Sequence, residues 1–179
     1  MSKKADVVLE GGGVKAVGLV GALNYAESLG YCWNNVAGTS AGAIVGALLV
    51  AGYSGSALKD IVFNMDFTAL ADKRFIQRLP LVGPLAGLGL YMGLYRGDAL
   101  EQWIRKILAD KGVRTFGDLR IHDEHNPRYR YRLQVIASDL TLGRMLVLPD
   151  DIKAYGLDPD SMEVAQAVRM SAGIPFFYE

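Results

Sequence analysis

The residues best suited to chemistry lie close together near the start of the chain. Gly38-Thr39-Ser40-Ala41-Gly42 is a G-x-S-x-G pattern. Residues 35–38 ahead of it read as a short strand, and residues 43–51 behind it form an almost wholly apolar helix that must be central in the domain. A serine on a sharp strand-to-helix turn stands clear of the sheet, at a helix N-terminus that favours developing negative charge. Small residues two before and two after it, here Gly38 and Gly42, keep such a turn free of clashes. The plainer reading is a small-residue helix start with Ser40 or Thr39 as its cap.

A second candidate precedes it. Gly11-Gly12-Gly13-Val14-Lys15-Ala16 follows the apolar run Val7-Val8-Leu9, which has the pattern of a strand buried on both faces. Consecutive glycines before a helix present backbone N–H groups as a nest for an oxyanion or a phosphate. The same residues spell the dinucleotide pattern G-x-G-x-x-A. That reading needs an acid about 20 residues on, where Cys32, Trp33, Asn34 and Asn35 stand instead. No G-x-x-x-x-G-K-[ST] occurs, so there is no P-loop. A glycine nest after one strand and a serine elbow after the next bring oxyanion donors beside a nucleophile, the arrangement acyl transfer requires.

The remaining candidates have plainer readings. His122 and His125 lie in a polar stretch that Pro127 marks as a loop and read as exposed loop residues; a base for a serine and a metal pair are the sharper alternatives, the latter opposed by an H-x-x-H spacing that does not match the zinc-helix pattern. Arg128, Arg130 and Arg132 alternate with Tyr129, Tyr131 and Leu133, which predicts a half-buried strand near the sheet edge with a solvated arginine face. A grip on phosphate groups is the sharper alternative. Asp139 reads as a structural strand-end aspartate, with a catalytic base as its alternative.

The elements needed to hold these residues follow from periodicity. A helix carries Ala16, Leu19, Val20, Leu23 and Ala26 and stops at Gly30. Asp98-Ala99-Leu100-Glu101 and Asp160-Ser161-Met162-Glu163 both have capping-box spacing ahead of amphipathic helices. Residues 145–148 predict another strand. Residues 79–95 are apolar but broken by Pro80, Pro84 and four glycines, which opposes a spanning helix and suits either an apolar wall over the site or a buried irregular segment.

Composition bounds the function classes. The 179 residues carry 19 basic and 19 acidic side chains, for a formal charge of zero, which excludes a generic electrostatic nucleic-acid binder. A hydrophobic fraction of 51% excludes a disordered chain. Cys32 is the only cysteine, so no intrachain disulfide or multi-cysteine zinc site forms. The N-terminus does not read as a signal peptide.

Glu10-Gly11-Gly12-Gly13-Val14-Lys15 followed by Gly38-Thr39-Ser40-Ala41-Gly42-Ala43 resembles the patatin-like phospholipases. Gly93-Leu94-Tyr95-Arg96-Gly97-Asp98, Ala137-Ser138-Asp139-Leu140 and the segment from Ala167 to Pro175 resemble later parts of that family, in order. The resemblance implies a three-layer α/β/α fold with a central, mostly parallel sheet. It also implies a lipid acyl hydrolase of phospholipase A or lysophospholipase type, using a serine–aspartate dyad without histidine. Carried over by motif, Ser40 is the nucleophile, Gly11, Gly12 and Gly13 supply oxyanion donors, and Lys15 adds positive charge.

No metal or cofactor is implied. The implied partners are a phospholipid or other lipid ester and a transient membrane surface, with no nucleic acid. The expected location is cytoplasmic or membrane-peripheral, or export without a classical signal peptide. Oligomeric state is left open. Two departures stand out. Ala16 replaces the family's usual glycine, and no Asp-Gly dipeptide occurs anywhere in the chain, so the family's D-G-[GA] aspartate is not found. With Phe176, Phe177 and Tyr178 at its end, residues 1–179 read as a single domain lacking its C-terminal part. The alternatives are a catalytically incomplete lipid-binding or regulatory module and a dinucleotide-binding protein.

Overall fold

A computed structural model describes residues 2–64, 93–95, 97–122, 124–173 and 176–178. Strand β1 (Lys3–Leu9) runs through the glycine turn and a single helical turn, Gly13–Lys15, into helix α1 (Ala16–Ser28). Strand β2 (Tyr31–Thr39) leads directly into α2 (Ala41–Val50), and α3 (Gly55–Phe63) follows, its N-terminus capped by the Ser54 hydroxyl. After β3 (Gly93–Tyr95) come α4 (Asp98–Ala109), β4 (Leu133–Asp139), β5 (Arg144–Leu148), α5 (Val164–Ala172) and β6 (Phe176–Tyr178).

The main sheet has the order β1-β2-β4-β5. The first three strands are mutually parallel and β5 returns antiparallel to β4. Strands β3 and β6 form a separate parallel pair. This is the expected α/β class with a central, mostly parallel sheet.

Helix α2 explains why the sheet holds. Nine of its ten residues are buried and none is charged. Gly42 and Gly46 lie one turn apart on the face turned to the strands. A Cβ at Gly46 would touch Val36, Leu133 and Leu9, so this helix lies unusually close to β1, β2 and β4. On β4, Leu133, Val135 and Ala137 point into the same core, which α5 closes with Val164, Ala167 and Val168. Helix α4 adds Leu100, Ile104 and Leu108 at four-residue spacing.

Several expectations change. Val8 is 81% exposed, so β1 is not buried on both faces; it is an edge of the four-stranded sheet and packs through Leu9. Conversely, β4 is an inner strand between β2 and β5. Its alternation records one face packed against helices, not an edge position. It also begins only at Leu133, because residues Pro127–Tyr129 form a helical turn that Asn126 caps. Arg128 and Arg130 therefore precede the strand, while Arg132 reaches the carbonyl oxygens of Trp33 and Asn34.

Neither expected capping box forms. Gly97, at φ 76°, is the cap of α4. Glu163 is itself the cap residue of α5, and its carboxylate is taken by Arg105 and Arg114. Among the described residues a capping box instead joins Thr115 to Asp118. The expected apolar wall at residues 79–95 lies outside the described residues apart from the backbone of β3.

Candidate active site

Ser40 occupies the junction of β2 and α2 with φ 52° and ψ −121°. It is the one non-glycine residue with positive φ among those described. A side chain in this region costs of order 1–3 kcal/mol and persists only where neighbours over-determine it. The neighbours here are close. A Cβ on Gly38 would lie 2.7 Å from the backbone nitrogen of Ala43, and one on Gly42 would lie 2.6 Å from the carbonyl oxygen of Glu10. The two glycines of the pattern are thus fixed by backbone contact on both sides of the turn.

The glycine loop faces the same turn. A Cβ on Gly11 would lie 3.1 Å from the Cβ of Ser40 and 3.3 Å from the carbonyl oxygen of Thr39. Gly13 has φ 56° with open space around it. Such a conformation suits glycine and turns backbone N–H groups out of the regular ladder. The Lys15 side chain folds back along Gly12, meeting the place of its Cβ at 3.1 Å. Strand pairing brings Leu9 opposite Gly38, so the loop after β1 and the elbow after β2 emerge from adjacent strand ends. The sequence candidates Gly11, Gly38, Ser40 and Gly42 are therefore in one place, with Gly12, Gly13 and Lys15 next in the chain.

One residue at this site carried no role in the sequence reading. The backbone N–H of Ser40 donates to the Ser171 hydroxyl at 2.8 Å, and that hydroxyl donates to the Ile136 carbonyl at 2.6 Å. A contact across 131 positions leaves no local signal.

The other candidates are engaged elsewhere. Asp139 closes the β4–β5 turn, accepting from the N–H groups of Thr141 and Leu142 and from the Tyr155 hydroxyl. The Tyr155 bond foremost, then these amides, holds its carboxyl below the usual aspartate range. An acid so held is a poor base at neutral pH, which favours the structural reading. His122 and His125 are exposed in their loop. Strand β2 ends in the elbow itself, with no acid at its tip to take a ribose hydroxyl.

Ser40 thus stands at positive φ between a parallel strand and a buried helix, faced by a glycine turn, in an α/β protein with a central, mostly parallel sheet. Residues 7–179 match the family described as patatin-like phospholipase, and the chain belongs to that family. It is 45% identical over 176 residues to the uncharacterized protein YqhO of Bacillus subtilis (strain 168), covering 97% of this chain and 57% of that protein. A 27% identity over 183 residues links it to an uncharacterized protein of Acanthamoeba polyphaga mimivirus, covering 98% of this chain and 53% of that one. The chain thus spans about half the length of these curated relatives.

Among solved structures, ExoU of Pseudomonas aeruginosa, in complex with SpcU, aligns with a TM-score of 0.60 at 23% identity, covering 97% of this chain and 39% of that one. VipD of Legionella pneumophila aligns with a TM-score of 0.60 at 17% identity, covering 99% and 43%. At these identities the likeness is one of fold.

Among the described residues, no helix is long and apolar enough to cross a membrane.

Proposed function

We propose that this chain carries the nucleophile and the oxyanion site of a lipid acyl hydrolase acting on phospholipids or related esters. The observation that supports this most is the backbone of Ser40, held at φ 52° against a glycine loop whose Gly11 faces its Cβ. Family membership supplies the substrate class.

In this reading the Ser40 hydroxyl attacks the ester carbonyl and forms a tetrahedral intermediate. Backbone N–H groups of Gly11, Gly12 and Gly13 hold the oxyanion, and Lys15 contributes positive charge. The proton from Ser40 passes to the dyad aspartate, which returns it to the departing alcohol. Water then attacks the acyl-serine carbonyl, giving its proton to the same aspartate; that proton passes to the Ser40 oxygen as its bond to the acyl group breaks, and the fatty acid leaves with the free serine restored. No Asp-Gly dipeptide occurs in these 179 residues, so the reading places that aspartate outside them. It also places the substrate at a membrane surface that the protein contacts transiently, from a cytoplasmic or peripheral location. The step needs no metal or cofactor.

The catalytically incomplete lipid-binding module rests on that missing aspartate. Fatty-acid release from phosphatidylcholine vesicles separates the two. The hydrolase reading expects release by a protein that includes the dyad aspartate as well as these 179 residues, and none by its Ser40→Ala variant. Vesicle binding without release in both proteins would favour the binding module.

A further inference from the structure

We propose that Ser171 is a positioning residue for the nucleophile, its hydroxyl replacing a strand hydrogen bond that the turn at Ser40 breaks. The inference rests on Ser40 being the nucleophile. Strands β2 and β4 are parallel, with Thr39 opposite Ile136 as their last pair. One residue later the backbone of Ser40 swings to positive φ and leaves the ladder. Its N–H then needs an acceptor, and the Ile136 carbonyl needs a donor.

A hydroxyl can serve both, because it accepts through a lone pair while donating its single proton. Ser171 does this, accepting from Ser40 N–H at 2.8 Å and donating to the Ile136 oxygen at 2.6 Å. Alanine at this position would leave both backbone groups without these partners.

The bridge is aimed by the whole of α5. Ser171 follows Ala167 and Val168 by four and three positions, which puts it on the helix face those two buried residues share. The start of α5 is fixed by Glu163, whose carboxylate bonds Arg105 of α4 and Arg114. The orientation of the elbow is therefore set from outside β2 and α2, by a helix far along the chain. A second consequence concerns the oxyanion. The Ser40 N–H is spent on Ser171, so it is not a donor to the tetrahedral intermediate, which leaves that task to other backbone groups such as those of the glycine loop.

The test uses the intact protein and two variants, Ser171→Ala and Ser171→Thr. Fluorophosphonate labelling of Ser40 reads nucleophile alignment, KM for a short soluble ester reads binding, and hydrogen exchange of the Ser40 amide reads the bridge. Ser171→Ala should slow labelling by about tenfold to a hundredfold, with KM little changed, since misplacing a reacting group acts on rate. Exchange at Ser40 should quicken by about tenfold or more while the Leu48 and Val50 amides stay protected, showing a local opening. Ser171→Thr, which keeps the hydroxyl, should label within about threefold of the parent.

Labelling of Ser171→Ala at the parent rate, or unchanged exchange at Ser40, would overturn the proposal. So would slower labelling accompanied by equal loss of protection at Leu48 and Val50, which would mark general destabilisation. A parent protein that is not labelled at all would overturn the nucleophile assignment as well. The exchange result then still states whether the bridge exists.

Discussion

A Cβ at Gly42 would sit 2.6 Å from the carbonyl oxygen of Glu10, with the Leu9 oxygen nearer still. The last glycine of the elbow is thus pressed against the backbone that begins the glycine loop, and the two motifs share one packing contact. Neither neighbour is a flexible side-chain end, so the clash cannot be relieved by a rotamer change. Gly42→Ala should lower stability by about 3 kcal/mol or more and remove activity with it. Gly21→Ala in α1, where a Cβ meets nothing within 4 Å, should instead stabilise by about 0.5–1 kcal/mol. Denaturant midpoints of the two variants check both signs.

The strain at Ser40 has its own signature. Alanine inherits the positive φ, whereas glycine relieves it. Ser40→Gly should therefore be more stable than Ser40→Ala by about 1 kcal/mol, although both lack the hydroxyl. Equal stability of the two in urea would mean that the turn is not strained in solution.

The glycine loop should act on rate more than on folding. Gly13 has φ 56° and a Cβ there meets nothing within 4 Å, so Gly13→Val acts mainly by straining the backbone that orients the N–H groups. Loss of one oxyanion donor costs about 10²–10³ in kcat. We expect that fall with KM changed little, and the same for Gly12→Val. Full activity in a folded variant would reduce the loop to a connector.

Glu163 gives the fold a pH dependence. Its bonds to Arg105, and secondarily to Arg114, hold its carboxyl below the usual glutamate value of 4.5 in the folded chain. A depressed folded value stabilises above the unfolded pKa and is lost as pH falls through the folded one. Stability should therefore decline as pH drops below about 4.5, and Glu163→Gln should show a shallower decline than the parent. Thermal melts of both proteins from neutral pH downward compare the slopes.

Much of this arrangement was visible in local sequence. The Gly38–Gly42 spacing, the glycine run and the apolar stretch behind Ser40 each encode their neighbours within a few residues, so elbow, loop and central helix could be read directly. The failures share a physical cause. Asp160 and Glu163 have capping-box spacing, yet the Glu163 carboxylate is held by two arginines 58 and 49 residues away. Tertiary charge pairs displaced a local bond. Arg128 and Arg130 continue an alternating pattern, but Asn126 and Pro127 favour a turn there, and β2 pairs with β4 only from Leu133 onward. Ser171 was illegible for the same reason as Glu163, because its partners exist only once β2, β4 and α5 have met.

The central claim, that Ser40 is the nucleophile, is tested most directly by locating the adduct of a fluorophosphonate on the intact protein by mass spectrometry. We predict one stoichiometric adduct, on the peptide containing Ser40, and none in Ser40→Ala. An adduct on another residue, or labelling undiminished in Ser40→Ala, would contradict the account.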